Sequence, residues 1–411
     1  MRSEMVWDAD TVRVTADVLV PAGSTLRVLA GVRVEFAGFH TLTVAGRLLA
    51  LGAPAAPIHF DSAEPWRFAP DSTTAGAWGG LRFPFPDAQL GGSQLVYCVI
   101  EHAKGIGPAA PGGALSFAAG ADHRVENCIL RENAADYGGA LYCSHYAQPL
   151  VVGCLLEGNH AFVSGGAVYC LEAMPRLVAS TLVGNIDHNP QIVDRAATVT
   201  ALIARPQLTG CVVWGNSFNY FENTALINTK PVYVRYNDLQ TPHAGTGNFL
   251  ADPLFVGEGA HPWALGAGSP CVDAGPPDTT GLALPRFDLV GRARVLAGRV
   301  DAGCYEGDGN LTGAPVAPPA SLALFAHPNP VSAGGTFVFR LREAASVRLE
   351  VLDIRGRLQS TLSAGWRDAG EHRVAWTPRD ASGRRLAAGL YLARLGAGGR
   401  QLATCKLLLL D

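Results

Sequence analysis

The chain has 411 residues, a formal net charge of −3 and only 16% charged residues. This balance excludes the strong positive field that nucleic acids or acidic membranes would attract. No apolar run reaches the ~20 residues that cross a bilayer, so no transmembrane segment is predicted.

Residues 1–95 are predicted to form the entry to a coil of short strands. Glycine and proline interrupt the apolar phrases VLVPAGSTLRVLAGVRVEF, LTVAGRLLALGAPAAPIHF and WGGLRF, a pattern typical of strands between tight turns. The first residues, MRSEMVWDADTVRV, lack the apolar stretch of a secretory signal. Either the protein is not exported or its start is shortened or processed, and the C-terminal region favours the second.

Residues 96–240 repeat one unit. Gly-Gly-Ala begins GGALSF, GGALYC and GGAVYC at steps of 26 and 27 residues, and CILREN, CLLEGN, STLVGN and CVVWGN recur between them. Alternation inside each phrase is the strand period. A fixed period of this size predicts stacked rungs, with equal positions ~4.8 Å apart. We therefore predict a parallel β-helix with three strands per rung, right-handed by the usual chirality of parallel crossovers.

The repeat aligns residues of one type into columns. An inward asparagine at a turn can bond the backbone of the next rung, so the asparagine column is interpreted as structural. Buried cysteines act as small apolar fillers. The two structural columns are Asn133, Asn159, Asn185 and Asn216, and Cys98, Cys128, Cys154 and Cys211 with Ser180 among them.

The nine cysteines are an odd number, so at least one thiol is unpaired or pairs between chains. No zinc-ligand spacing is present. If the protein is exported, Cys271 and Cys304 are the pair expected to form a disulfide, since both lie outside the regular rungs. We weigh that bridge equally against two free thiols.

The remaining chain is divided into three regions. Residues 241–310 lose the repeat and are predicted to cap the open end of the solenoid. Residues 311–325, rich in proline and alanine, are predicted to be a linker. Residues 326–411 contain alternating phrases such as VRLEVLDI and GLYLARL, which predict a small antiparallel Ig-like β-sandwich. The fold class is therefore all-β.

Several of these phrases resemble known families. The N-terminal phrases and the GGA rungs resemble the right-handed parallel β-helix superfamily that includes pectate lyases. The phrases of residues 241–310 look like the closing segment of bacterial surface and secreted β-helix proteins. The tail is similar to the type IX secretion sorting domain and the flagellar hook-capping Ig-like domain. The tail motifs are Pro328-Asn329-Pro330, VRLEVLDIRGR (347–357), GEHRVAWTPRDASGRRLAAGLYLARL (370–395) and KLLLL (406–410).

The resemblance implies a site on an outward strand face. Related enzymes that cut acidic polysaccharides carry carboxylates with Arg or Lys there, often with calcium. Glu101, Arg131 and Glu157 form such a column here, which continues as Val183 and Trp214. These three are the candidate catalytic residues, but a ladder of surface ion pairs is the favoured interpretation. No cofactor is expected, and calcium is left open without a clear site.

A second candidate site is aromatic. Tyr142 and Tyr169 are predicted to point outward in adjacent rungs, with His145 and Glu172 a few residues downstream. Aromatic faces beside polar groups suit sugar rings. Simple coverage of the sheet by two tyrosines is the favoured alternative.

The sequence thus predicts an extracellular or cell-surface protein that acts in adhesion or glycan binding and carries a C-terminal export or attachment module. The alternatives are a polysaccharide lyase or glycoside hydrolase on the same coil, and a structural envelope component. The expected partners are a polysaccharide or cell-surface glycan and, through the tail, the secretion machinery. No nucleic acid is expected.

Overall fold

The computed structural model of the protein contains two compact units. They comprise Met1–Phe255 with Trp263–Pro315, and Val256–Pro262 with Val316–Asp411. Most of the predicted linker, up to residue 323, lies outside the described residues, and the predicted domain boundaries stay predictions. The structure describes residues 3–71, 73–84, 90–106, 112–120, 122–188, 197–218, 221–222, 224–228, 233–295, 298–307, 324–327, 331, 334–341, 344–353, 357–368, 370–380, 382–397 and 400–409.

The first unit is a parallel β-helix. Its strands are short because glycine or a residue with positive φ interrupts the chain every few positions. One 3₁₀ turn, Pro65–Arg67, is also present. The strands are β1 (Ser3–Trp7), β2 (Thr11–Val14), β3 (Val18–Val20), β4 (Ser24–Val28), β5 (Arg33–Phe36), β6 (Leu42–Val44), β7 (Arg47–Leu51), β8 (Ile58–Ser62), β9 (Leu81–Phe83), β10 (Gln94–Val96), β11 (Cys98–Glu101), β12 (Lys104–Gly105), β13 (Leu115–Ala118), β14 (Arg124–Glu126), β15 (Ile129–Arg131), β16 (Ala134–Tyr137), β17 (Leu141–Ser144), β18 (Leu150–Val152), β19 (Leu155–Glu157), β20 (His160–Ser164), β21 (Val168–Leu171), β22 (Arg176–Val178), β23 (Thr181–Val183), β24 (Ile186–Asp187), β25 (Ala197–Leu202), β26 (Gln207–Thr209), β27 (Val212–Trp214), β28 (Ser217–Phe218), β29 (Phe221–Glu222), β30 (Thr224–Asn228), β31 (Tyr233–Arg235) and β32 (Asp238–Leu239).

Equivalent strands of successive rungs pair into parallel sheets. Sheet 1 has the order β1-β4-β7-β10-β14-β18-β22-β26-β31, sheet 2 the order β2-β5-β8-β11-β15-β19-β23-β27-β32, and sheet 3 the order β3-β6-β9-β13-β17-β21-β25-β30. A fourth, short sheet (β12-β16-β20-β24-β28-β29) lies between sheets 2 and 3 in chain order. This corrects the prediction of three strands per rung, because the residues after each ladder asparagine are extended and pair as well.

The asparagine column is a hydrogen-bonded ladder inside the coil. The backbone N–H of Asn159 donates to Oδ1 of Asn185 at 3.1 Å, and Nδ2 of Asn159 donates to the same oxygen and to the carbonyl of Leu130 at 2.9 Å each. The ladder does not end at Asn216, whose backbone N–H donates to Oε1 of Gln240 at 3.0 Å. Each rung therefore satisfies buried turn groups of its neighbour.

The cysteine column lies beside the ladder. The N–H of Cys98 donates to Sγ of Cys128 at 3.3 Å, and the N–H of Cys128 donates to Sγ of Cys154 at 3.4 Å. All nine cysteines fall in the described part of the chain and are free thiols. The disulfide weighed between Cys271 and Cys304 is therefore absent: Cys271 Sγ lies 3.3 Å from a carboxylate oxygen of Asp238 instead.

After the last rung the chain first pairs with that rung, where Phe249 forms a parallel bridge with Asp238, and then returns along the side of the coil; the cap predicted for residues 241–310 stays a prediction. We call residues 263–295 and 298–306 the side segment. It packs on the outer residues of sheets 1 and 2 through an apolar cluster that includes Leu155, Val183 and Val212. The side segment also accepts hydrogen bonds from rungs that are far apart in sequence. The hydroxyl of Tyr97 donates to the carbonyl of Asp288 at 3.0 Å, and side chains of later rungs donate to other carbonyls of the segment. The coil therefore has a second layer over part of its outer surface.

The second unit contains a small antiparallel sandwich, which confirms the predicted all-β fold class. A three-stranded sheet has the order β33-β34-β37, and a four-stranded sheet has the order β36-β35-β38-β39. Trp376 and Tyr391 belong to its core, while the motif at residues 328–330 lies outside the described residues. The strands are β33 (Phe325–His327), β34 (Gly335–Leu341), β35 (Ala345–Asp353), β36 (Leu358–Arg367), β37 (Gly370–Trp376), β38 (Gly389–Ala397) and β39 (Arg400–Leu409).

Candidate functional site

Part of sheet 2 is not covered by the side segment and carries charged residues. Register aligns Arg13 with Glu35 and Glu35 with Asp61 in adjacent rungs. Ile100 pairs with Phe60, which places Glu101 next to Asp61, and Glu101 aligns with Arg131. Neighbouring members of this column are ~4.8 Å apart. We call this surface the open face; it consists of Arg13, Arg33, Glu35, His59, Asp61, Glu101, His102 and Arg131.

Asp61 and His102 form a close pair on the open face. Nδ1 of His102 lies 2.7 Å from Oδ1 of Asp61, and Nε2 lies 3.9 Å from Glu132. Burial acts to lower the pKa of His102, but the hydrogen bond to Asp61 and the nearby carboxylates outweigh it and raise the pKa above its usual value. The pairing with Asp61 therefore favours the protonated form of the imidazole. By contrast, burial and the charge of Arg33 lower the pKa of His59.

The three predicted catalytic candidates lie in one column, but they have different hydrogen-bond partners. Nε of Arg131 donates to Oε1 of Glu101 at 2.5 Å. Burial acts to lower the pKa of Arg131, and the charge of Glu101 reverses this and raises it. Glu157 instead accepts a hydrogen bond from Nε1 of Trp263 in the side segment, at 2.7 Å. Glu101 and Arg131 therefore belong to the open face, and Glu157 marks its border.

The loop between β8 and β9 bounds the open face. We call residues 63–71 and 73–77 of this connection, which precede the buried Trp78, the β8–β9 loop. Together with Arg13 and the turn after β5, the loop encloses an open cleft of about 270 Å³, lined by Ser62, Glu64 and Arg67 among others. Trp66 lies on this loop, and its side chain is 75% exposed. Trp66 does not line the cleft itself, but it lies in the chain between two residues that do, Glu64 and Arg67.

The predicted aromatic site is not open to solvent, which corrects the outward display predicted for Tyr142 and Tyr169. Each is only 9% exposed, and their rings stack with centroids 5.8 Å apart. Tyr137 of the unpredicted short sheet packs on Tyr169 at 4.9 Å, so little of either ring is left exposed, and the ligand role of the two tyrosines stays a prediction. His145 and Glu172 lie at the surface in the turns that follow β17 and β21, and a ligand role for them stays a prediction.

The open face has the groups for polar binding rather than for metal chemistry. In the described part of the chain, no group of three or more His, Cys, Asp or Glu side chains could hold a metal ion. Asp61 has His102 as a partner and Glu101 has Arg131. The paired carboxylates can accept hydrogen bonds, and the guanidinium groups can donate them.

Sequence reasoning missed Arg13, His59, Asp61, His102 and Trp66. The early rungs lack the GGA phrase, so their columns could not be aligned with the later ones. The alternation in RVEF and IHFDS was a usable signal, because it places charged residues at outward positions of two further rungs. The loop contact with the coil had no sequence signal.

Comparisons with known proteins bear mainly on the tail. Residues 329–399 match the family model of the FlgD Ig-like domain. The C-terminal region is therefore similar to an Ig-like module, in agreement with its antiparallel sheets. The match covers less than a fifth of the chain, and it gives no family for the coil.

Among solved structures, the chain is similar to PorZ, described as an essential bacterial surface component of the type-IX secretion system of Porphyromonas gingivalis. The identity is 21%, and the match covers 23% of this chain and 12% of that one, with a TM-score of 0.18. This likeness is too slight to indicate a shared fold or role. No curated protein matches the chain. The described residues contain no helix with the length and apolar character needed to cross a membrane.

Proposed function

We propose that the protein is a secreted or cell-surface β-helix protein that binds a glycan on its open face. The observation that carries this proposal is Trp66, which is 75% exposed between two residues that line the cleft, Glu64 and Arg67. An indole in water forgoes the stabilisation that burial provides. Its exposure, next in the chain to the cleft-lining Arg67, therefore favours a ligand that covers it.

A glycan combines the chemistry that this surface requires. A sugar ring has an apolar face, which can stack on an indole, and a rim of hydroxyl groups. Arg13 and Arg67 supply donors, and Glu64 and Ser62 supply acceptors. The cleft volume of about 270 Å³ is near the lower end of small-molecule sites, so it suits a short stretch of a chain that continues along the open face.

For the tail, we propose export or attachment as a type IX sorting domain. The similarity of residues 329–399 to an Ig-like domain and the apolar core of this region support an independent module. For the coil, we propose a common origin with the pectate-lyase-like superfamily, which the stacked parallel sheets support.

Catalysis on the same face is the second candidate function. Asp61 and Glu101 are neighbours in adjacent rungs, and two close carboxylates are the apparatus of glycoside hydrolysis. Each carboxylate already has a cationic or imidazole partner, however, at 2.7 Å and 2.5 Å. Neither is placed in an apolar pocket that would make it a general acid, so we favour binding.

A glycan array probed with the full chain tests the binding proposal. We expect at least one neutral or acidic glycan to bind, and Trp66→Ala to weaken that binding by about tenfold or more. Trp366→Ala is the matched control, because Trp366 in the tail is 69% exposed. If no glycan binds, or if both variants behave alike, the structural envelope role replaces this proposal.

The bound glycans also test catalysis. We expect no new reducing ends and no unsaturated products absorbing near 235 nm after incubation. Turnover that disappears in Asp61→Asn or Glu101→Gln would establish the enzyme alternative.

The tail requires a separate test. Residues 326–411 behind a signal peptide are fused to a reporter in a host with a type IX system. Surface delivery is expected. A folded fusion that stays in the periplasm would make the tail a plain Ig-like spacer.

A further inference from the structure

Lys104 is a lysine of the coil that is fully buried. Its Nζ donates to Oδ1 of Asp71 at 3.0 Å and to the carbonyl of Asp71 at 3.2 Å, and it also donates to the carbonyl of Thr73. The ring of Phe68 lies 5.0 Å from the same nitrogen. Within the described residues, these partners of the ammonium group all belong to the β8–β9 loop.

The coil itself does not need a lysine at this position. The short sheet aligns Lys104 with Ala134, His160 and Ile186 in the following rungs, so small, aromatic and aliphatic side chains serve there. A buried ammonium group is costly unless it is paired and hydrogen-bonded. Burial lowers the pKa of Lys104, and the hydrogen bond and charge of Asp71 oppose that shift. The contacts that compensate for burial are therefore those with the loop.

Between Ala63 and Gly76 the β8–β9 loop has almost no apolar attachment, whereas the fully buried Trp78 anchors the chain directly after it. Among its described residues only Ala77 is buried. Segments with few buried apolar contacts open at low free energy. Besides Lys104, the loop is held by Phe68, whose ring packs edge-on against His102 with centroids 5.0 Å apart. Loss of the lysine would remove three hydrogen bonds and the cation–π contact together.

We propose that Lys104 is a positioning residue, which fixes the β8–β9 loop and thereby places Trp66 and the cleft for ligand binding. The lysine reaches the loop from the short sheet, beneath the surface that a ligand would contact. It would therefore set the geometry of the site without touching the ligand. The ligand part of this inference rests on the proposed function, whereas the loop part does not.

The experiment compares full-length Lys104→Met with the wild type by limited trypsin digestion under native conditions. Cleavage after Arg67, which is exposed on the loop, is quantified by mass spectrometry. We expect it to be faster by about tenfold in the variant, because the loop opens more often. Asp71→Asn, a change at a half-exposed carboxylate, should accelerate it less. Glycan binding should weaken in both variants.

Leu130→Ala is the matched control, because it removes core volume from the next rung without touching the loop. It should lower the melting temperature while cleavage after Arg67 stays near the wild-type rate. Unchanged cleavage in Lys104→Met would overturn the proposal, as would equal acceleration in Leu130→Ala. If Trp66→Ala leaves glycan binding intact, the proposed function fails, and the digestion still decides whether Lys104 positions the loop.

Discussion

The outer surface of the coil differs between its early and its later rungs. In one column of sheet 2, residues Arg13 to Arg131 are charged, whereas Val183 and Trp214 follow in the later rungs. The later positions pack against the side segment. Glu157, between the two groups, bonds to Trp263 of that segment. The column is therefore apolar where the side segment lies on it, whereas Asp61, which is buried in the early rungs, stays polar beside its partner His102.

The polarity of an outward column in a solenoid therefore carries information about what lies on it. Along this column the sequence changes from charged residues in the early rungs to apolar residues in the later ones. A ladder of ion pairs explains only the charged part of the column. An outward column that becomes apolar indicates that another part of the chain lies on it. Substitutions in the open face and in the region that the side segment covers should therefore differ in their effect on stability.

The largest effect on the free energy of unfolding is expected for a buried contact within the side segment. Arg294 and Glu306 are fully buried, with Nη1 donating to Oε1 at 2.9 Å. Burial raises the pKa of Glu306 to about 8, so Arg294→Met chiefly leaves the Glu306 carboxyl and the carbonyls of Gly303 and Cys304 without a donor, at ~1–3 kcal/mol in the free energy of unfolding for each group. Urea unfolding at pH 7 measures this. The control Arg27→Met breaks an exposed pair with Glu4 in the early rungs and should cost ~0–1 kcal/mol. Equal losses would contradict the comparison.

Histidines inside and outside the coil should respond to pH in opposite directions. Burial lowers the pKa of His123, which packs against the rings of Phe83 and Phe117, to about 4. Above pH 6.5 its contribution to stability is complete. As pH falls to 4 the unfolded chain gains a proton that the folded chain does not, so stability drops by up to ~3 kcal/mol. His123→Gln should flatten the melting temperature between pH 6.5 and 4.

The raised pKa of His102 on the open face has the reverse consequence. Its contribution is complete below pH 6.5 and is lost as pH rises through the raised value. His102→Gln should therefore weaken the protein most at acidic pH. If His123→Gln and His102→Gln change the dependence of stability on pH in the same direction, the pKa direction assigned to one of the two histidines is wrong.

The asparagine ladder should be indifferent to the outer layer, because it lies inside the coil. Asn133→Leu, under the open face, and Asn159→Leu, under the covered one, should each cost ~1–3 kcal/mol per unsatisfied group. Asn216→Leu should cost as much, since Gln240 continues the ladder. Gln240→Met should cost less, because this side chain is half-buried and water can replace its bonds. Thermal melts of the four variants measure these losses. A small loss for Asn216→Leu would mean that the ladder ends at Asn216.

The smallest effect is expected on the open face itself. The Arg131 side chain is 44% exposed beside Glu101, so Arg131→Met should change the free energy of unfolding by only ~0–1 kcal/mol. Urea unfolding at low and high salt measures it. A loss above ~2 kcal/mol would mean that this surface is also covered.

The features that depend on the repeat period could be predicted from the amino-acid sequence. The all-β class, the parallel rungs, the asparagine ladder and the stacking of Glu101 on Arg131 all follow from equal residues at equal steps. Such features need only local alternation and the register of adjacent rungs. The antiparallel tail was readable for the same reason, since its strands alternate and its turns are short.

The exposure of each outward position could not be predicted in this way, because it depends on contacts between segments that are distant in the chain. Trp263 bonds to a residue 106 positions away and Asp288 to one 191 positions away, and no period in the sequence encodes such contacts. They determine that Glu157 is covered, and the short sheet places Tyr137 against Tyr169. The loop that places Trp66 is likewise held by Lys104, 33 residues beyond Asp71. Exposure depends on packing between distant segments, and that packing places the candidate site at the early rungs.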